Sequence, residues 1–197
     1  MKLILASKSA ARQTMLQSAG LEFESHPADL DENAITSAQQ KLEKPPQEIA
    51  GVLACEKALH VAKNFPDAIV IGSDQILECE NKMLTKAANR DEARAKLKKL
   101  RGKTHHLFSA VAVAKNDKIL WQDTQCAFLT MYDFDDQFLE SYLEKAGEAL
   151  TRSVGAYELE SIGTRLFESI EGDYFTILGM PLLSLLTYLR TQHGAEL

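Results

Sequence analysis

Apolar and polar positions divide the chain into short, distinct segments. Leu3-Ile4-Leu5-Ala6 is an apolar run of strand length, and Ser7-Lys8-Ser9 breaks it. From Ala10 to Ala19 the residues favour a helix with Met15 and Leu16 on one face. Ser9 is placed to cap its start and Gly20 to end it. The chain therefore opens as strand, polar turn, helix. Leu21 to Ser25 alternates as a strand does, and the acidic stretch Asp29-Leu30-Asp31-Glu32-Asn33 reads as a loop. Pro45-Pro46 opens a long helix to about Asn64, with Ile49, Val52, Leu53 and Leu59 as its buried stripe.

Ala68-Ile69-Val70-Ile71 predicts a second buried strand that ends in Gly72-Ser73-Asp74-Gln75. Ile76 to Glu80 predicts further strand, running toward a turn at Asn81-Lys82. A helix follows over Arg90 to Leu100, then a turn at Arg101-Gly102-Lys103. Thr104 to Ala114 and Ile119 to Met131 read as strands joined at Asn116-Asp117. Asp135 to Ala146 predicts helix and Ala156 to Glu160 strand. Pro181 opens a last helix, Leu182 to Gln192, which stops at Gly194. With no internal repeat, low-complexity segment or linker, this order predicts an α/β fold, one domain around a mixed sheet.

Composition narrows the classes further. A chain of 197 residues can bury a sizeable core, and 45% hydrophobic with 25% charged residues excludes disordered and fibrous classes. The formal net charge of −6 gives no sign of the basic face that a nucleic-acid binder needs. A local cluster of Lys and Arg can still hold an anionic small molecule. The cysteines are Cys55, Cys79 and Cys126, an odd count with no C-x-x-C pair, and they read as small buried residues. Neither a disulfide framework nor a structural zinc site is supported, which points to a reducing compartment. The first apolar run is short for a signal peptide, and none is long enough to span a bilayer. The expected location is the cytoplasm, with no membrane partner.

Several positions carry candidate chemistry. A strand feeding a helix through Ser7-Lys8-Ser9 presents backbone N–H groups and hydroxyls where the helix dipole favours an anion, and Arg12 in the first turn can fork onto phosphate oxygens. Taken alone, the turn reads first as an ordinary capped helix. Asp74 follows an apolar strand and a small Gly72-Ser73 pair, where a carboxylate can hold Mg²⁺ or take a proton from water. Alone, it is equally a turn residue. Glu32 can be a second oxygen ligand or a solvated carboxylate, and Lys57, Lys86 and Lys103 each read alone as surface lysines. His105 and His106, adjacent on a strand, face opposite sides and do not share a metal, and a structural hydrogen bond is expected for at least one.

In order along nearly the whole chain, these pieces resemble the Maf family of nucleotide pyrophosphatases. Leu5-Ala6-Ser7-Lys8-Ser9-Ala10-Ala11-Arg12 is similar to that family's L-A-S-x-S-x-x-R, Asp31-Glu32 to its D-E, and Ala54-Cys55-Glu56-Lys57-Ala58 to A-x-x-K-A. Gly72-Ser73-Asp74-Gln75 resembles G-[AS]-D-[TQ], Lys86 falls after a short hairpin, and Gly102-Lys103-Thr104-His105 resembles G-K-x-H. Gly155-Ala156-Tyr157, Glu171-Gly172-Asp173 and Gly179-Met180-Pro181-Leu182 are similar to the C-terminal signature. The chain departs where the family carries S-P-R-R or S-P-W-R-R, with Ala10, Ala11 and Gln13 in those places. Thr151-Arg152-Ser153-Val154 replaces the common D-K-A-G.

The resemblance implies a fold like that of inosine triphosphatases, an elongated mixed sheet flanked by helices with two lobes around a central cleft. It implies hydrolysis of a nucleoside triphosphate to monophosphate and pyrophosphate, with Asp74 as general base and metal ligand and Glu32 as second ligand of Mg²⁺ or Mn²⁺. Ser7, Ser9, Arg12, Lys57, Lys86 and Lys103 would bind phosphates. Cations around the leaving pyrophosphate lower the barrier, since unit charges 4 Å apart interact by about 4 kcal/mol at an effective dielectric near 20. A homodimer is what the family suggests.

Three positions go with base choice in that family, and here they are Ala11, Gln75 and Glu160. Gln75 and Glu160 match the 7-methyl-GTP branch, whereas Ala11 matches neither branch. A carboxylate at Glu160 suits the N–H edge of guanine better than the carbonyls of uracil or thymine. Ala11 cannot stack on a cationic base. The alternatives are a dTTP/UTP pyrophosphatase of the same family, or a non-catalytic regulator of septum formation.

Overall fold

The computed structural model describes residues 2–193. The elements in chain order are β1 (Leu3–Leu5), α1 (Ala10–Ser18), β2 (Glu24–Ser25), α2 (Glu32–Lys41), α3 (Pro46–Ala62), β3 (Ile69–Cys79), β4 (Lys82–Leu84) and α4 (Arg90–Leu100). Then come β5 (Thr104–Lys115), β6 (Lys118–Met131), α5 (Asp136–Lys145), α6 (Ala149–Arg152), a 3₁₀ turn (Ile162–Leu166), β7 (Phe167–Glu171), α7 (Tyr174–Leu178) and α8 (Leu182–His193). The fold is α/β around one mixed sheet, ordered β2-β1-β3-β5-β6-β7, with β4 paired to β3. β1 runs parallel to β2 and to β3, while β3–β4 and β6–β7 are antiparallel.

The chain divides into two compact units. The first holds the chain up to Gln75, Phe108–Gln125 and the chain from Asp173 on. Its core gathers alternate strand residues, Leu3, Leu5, Ile69, Ile71, Val111 and Val113, against Met15 and Leu16 of α1 and Leu182, Leu185 and Leu189 of α8. Each such side chain taken fully out of water contributes about 1.5–3 kcal/mol. Sequence explains α1 directly, since Ser9 caps it and its only buried residues are Met15 and Leu16.

The second unit holds Ile76–Leu107 and Cys126–Gly172. Leu97, Leu100, Leu107, Leu129, Met131 and Leu139 are completely buried in it. α4 starts on two reciprocal signals, Asn89 accepting from the Glu92 N–H and Glu92 accepting from the Ala88 N–H. His105 and His106 face opposite ways, as alternation requires. His105 is fully buried, 2.7 Å by Nε2 from the Tyr157 hydroxyl, and His106 Nδ1 lies 2.7 Å from Glu78. Burial pulls the His105 pKa down to about 3, so its ring is neutral.

Four segments differ from the sequence reading. Glu32 is not in a loop but is the first residue of α2, capped by Asp31. That helix buries no residue, so no apolar stripe announces it. β3 does not end before Gly72 but runs unbroken to Cys79, which puts Asp74 in mid-strand. Leu21 to Ser25 contains only the two-residue β2. Ala156 to Glu160 forms turns rather than a strand, with Ala156 at φ 61°, and the strand beyond it is β7, paired to β6. Gly194 lies outside the described residues.

Cys79 is buried, Cys55 and Cys126 are partly exposed, and all three are free thiols. No helix among the described residues is long and apolar enough to cross a membrane.

Candidate functional site

The polar turn after β1 is held together by its own side chains. Ser7 is buried, and its hydroxyl oxygen accepts from the Ser9 N–H at 3.2 Å and from Arg12 Nη1 at 3.4 Å. Ser9 caps α1 through the Arg12 N–H. The Ser25 hydroxyl donates to the Ser7 carbonyl at 2.9 Å, tying the turn to β2. Arg12 Nε donates to the Gly179 carbonyl at 2.9 Å, so the guanidinium is aimed by two acceptors, Gly179 through Nε and Ser7 through Nη1. Burial lowers the Arg12 pKa, and the charges of Asp74 and Glu32 oppose that.

Asp74 reaches its partners because α3 approaches β3 unusually closely. A Cβ placed on Gly72 would fall 2.2 Å from the Ala54 carbonyl oxygen and 2.6 Å from the Ala58 nitrogen. Only glycine permits that contact, whose nearest helix atoms belong to Ala54 and Ala58. Asp74 is two residues beyond Gly72 on the same strand face, and Lys57 lies between Ala54 and Ala58 on the same helix face. Lys57 Nζ consequently lies 2.6 Å from Asp74 Oδ1. It also lies 2.9 Å from Glu32 Oε1 of α2.

Lys57 and Asp74 are each less than a tenth exposed, whereas the Glu32 side chain is half exposed. Burial raises the Asp74 pKa above the ordinary carboxylate range, against the pull of Lys57 and Arg12 in the other direction. A carboxylate whose pKa is raised in this way is a better proton acceptor than a solvated aspartate.

The residues expected to form a site are thus partly brought together. Ser7, Ser9, Ala11, Arg12, Glu32, Lys57, Asp74 and Gln75 belong to the first unit, and Lys86, Lys103 and Glu160 to the second. Lys57 sits deeper than a phosphate-binding surface lysine, with its ammonium between two carboxylates. Ala11, partly buried in α1, offers only a methyl group. Lys86 is exposed between β4 and α4. Lys103 Nζ is 2.9 Å from Glu80, whose hydrogen bond raises the lysine pKa. Glu160 is exposed on a turn. Gln75 is fastened to its surroundings, its amide nitrogen donating to Ser109 Oγ at 3.0 Å and to the carbonyls of Thr176 and Ile177 at 3.2 and 2.9 Å.

No cluster of three or more His, Cys, Asp or Glu able to hold a metal occurs among the described residues. Glu32 and Asp74 nevertheless converge on one cationic point, the Lys57 ammonium. This donor set fits Mg²⁺, which takes one or two carboxylates and completes its shell with water and substrate phosphates.

Residues missed by the sequence reading lie on the opposite strand face. Ser73 is fully buried, its hydroxyl 2.8 Å from the Ala110 carbonyl and 2.9 Å from that of Gly179. Gly179 ends α7 at φ 109°, and its carbonyl receives both Ser73 and Arg12. The signal was present in Gly179-Met180-Pro181, a helix-ending glycine before a proline. Nothing local said which donor it would meet.

A family model described as Maf-like protein matches residues 2–192. A nucleoside triphosphate pyrophosphatase of Paramagnetospirillum magneticum is 47% identical over 187 residues, covering 95% of this chain and 96% of that protein. Its counterpart in Bradyrhizobium diazoefficiens is 50% identical over 190 residues, covering 96% and 93%. A protein of Brucella abortus named 7-methyl-GTP pyrophosphatase is 44% identical over 191 residues, covering 97% and 96%.

Proposed function

The chain belongs to the family of Maf-like proteins and is a nucleoside triphosphate pyrophosphatase, a hydrolase of phosphorus-containing anhydrides, and we propose that Asp74 is its general base. The observation that carries this reading is the Asp74–Lys57–Glu32 arrangement in the same unit as the Arg12 turn. In the reaction, water attacks the α-phosphorus. The bond from that phosphorus to the oxygen shared with the β-phosphorus breaks, and pyrophosphate leaves with the electron pair. Asp74 takes the proton of the attacking water. Lys57 holds the Asp74 carboxylate in place, and its charge favours the ionised form against the effect of burial. Arg12, aimed by Gly179 and Ser7, turns its guanidinium to phosphate oxygens, beside the hydroxyls and amides of the Ser7–Ser9 turn.

Glu32 and Asp74 would hold a divalent cation, Mg²⁺ or Mn²⁺, which supplies charge neutralisation at the phosphates when bound. Lys86 and Lys103 are further phosphate ligands in this proposal, on the strength of their places in the family pattern. The base is a guanine-type one, 7-methyl-GTP among the candidates. That reading is supported by Glu160 and by the similarity to the Brucella protein of that name. The homodimer and the cytoplasmic location rest on the family resemblance and on composition. The test is a panel of standard and modified nucleoside triphosphates with Mg²⁺ or Mn²⁺, assayed for pyrophosphate. Turnover that favours 7-methyl-GTP or GTP supports the proposal, and preference for dTTP and UTP overturns the base assignment.

A further inference from the structure

Residues of β3 alternate between two jobs. Gly72 and Asp74 face α3, where Asp74 meets Lys57. Ser73 and Gln75 point the other way and are bound to α7 and the residue that ends it. Gln75 donates to the carbonyls of Thr176 and Ile177, and Ser73 to that of Gly179. Ser109 adds a bond of 2.6 Å to the Thr176 carbonyl. The last acceptor, Gly179, is also the one that receives Arg12 Nε.

From this geometry we infer that Gln75 is a positioning residue for Arg12, fastening α7 so that the Gly179 carbonyl aims the guanidinium, and does not donate to the nucleobase. The inference rests on the pyrophosphatase reading and on Arg12 as a phosphate ligand. Both hydrogens of the Gln75 amide are engaged by three acceptors within 3.2 Å, so none is left for a base. Turned over, the amide would set its oxygen against two backbone carbonyls, which fixes its orientation. Strand alternation then links catalysis to binding. Asp74 is held on one face, and the flanking residues hold the element that directs Arg12 on the other.

The test is a double-mutant cycle with a substrate panel. Gln75→Met keeps length and bulk but removes the donors. Gln75→Glu keeps acceptor oxygens but opposes the two carbonyls. kcat and KM are measured for GTP, 7-methyl-GTP, dTTP and UTP in the Arg12 and Arg12→Ala backgrounds, with a thermal melt for each protein. In the Arg12 background, Gln75→Met should lower kcat/KM about fivefold for every substrate, mainly through KM, and Gln75→Glu should cost more. In the Arg12→Ala background, the same changes should cost less than about twofold, because residues that act as a unit are not additive. A changed ratio between bases overturns the inference, and so do equal losses in both backgrounds. Gln75→Glu that keeps wild-type preference and rate overturns it as well, even should Gln75→Met misfold. If Arg12→Ala leaves KM unchanged, it is the phosphate assignment of Arg12 that fails.

Discussion

Lys57 on α3 stands between Asp74 on β3 and Glu32 on α2, 2.6 Å from one carboxylate and 2.9 Å from the other. Lys57→Met removes the ammonium but keeps the apolar stem. Asp74 is then a buried carboxylate without its main partner. Removing one member of a buried pair costs about 3 kcal/mol or more. The Asp74 pKa, already raised, should climb further. The expected outcome is a lower denaturant midpoint, together with a pH–rate profile whose acid limb moves to higher pH.

In the unaltered protein the acid limb of kcat/KM should already lie above the ordinary aspartate value of about 3.9, because burial raises the Asp74 pKa. Activity is lost as pH falls through that raised pKa and the base becomes protonated. Stability changes in the opposite sense. The folded state holds this proton more tightly than the unfolded one, so the contribution of Asp74 is greatest below its unfolded pKa. That contribution is lost as pH rises through the folded pKa. Chemical denaturation of Asp74→Asn beside the wild type should therefore shift in favour of the variant as pH rises across this window. A constant difference would show that the Asp74 pKa is not raised.

Gly72→Ala tests the close approach that brings Lys57 to Asp74. Its new methyl would meet backbone atoms of Ala54 and Ala58, which can yield only if α3 itself shifts. Overpacking of this kind costs about 1–3 kcal/mol. α3 should move off β3, and activity should fall although neither carboxylate nor lysine has changed. Urea melts and kcat, read together, check this.

Arg12→Lys keeps the charge but loses the Nε donor to Gly179 and the forked geometry. KM for triphosphate should rise about tenfold, with a smaller change in kcat. Steady-state kinetics at saturating metal decide it. An unchanged KM would remove Arg12 from the phosphate site.

Much of this arrangement is legible in sequence where local rules act alone. α4 runs over the same residues as its pattern predicts, and β5 and β6 meet at Asn116-Asp117 as expected. The site is harder to read because there the tertiary contacts overrule local signals. Gly72-Ser73-Asp74-Gln75 has the composition of a turn, yet each of these residues suits an interior strand. Glycine admits α3, Ser73 and Gln75 find carbonyls, and Asp74 finds Lys57. α2 carries Glu32 without burying anything, so its capping aspartate is its only clear signal. α7 is five residues long, too short for a helical period, and the role of Gly179 appears only once Arg12 and Ser73 reach it.

The assignment of Asp74 is tested most directly by product analysis of the wild type beside Asp74→Asn. The wild type should release nucleoside monophosphate and pyrophosphate in equal amounts. The variant, of nearly the same shape and still able to bind triphosphate, should lose at least about 100-fold in kcat, the scale of a missing general base. Wild-type turnover by Asp74→Asn, or release of inorganic phosphate and nucleoside diphosphate in place of pyrophosphate, would contradict the account.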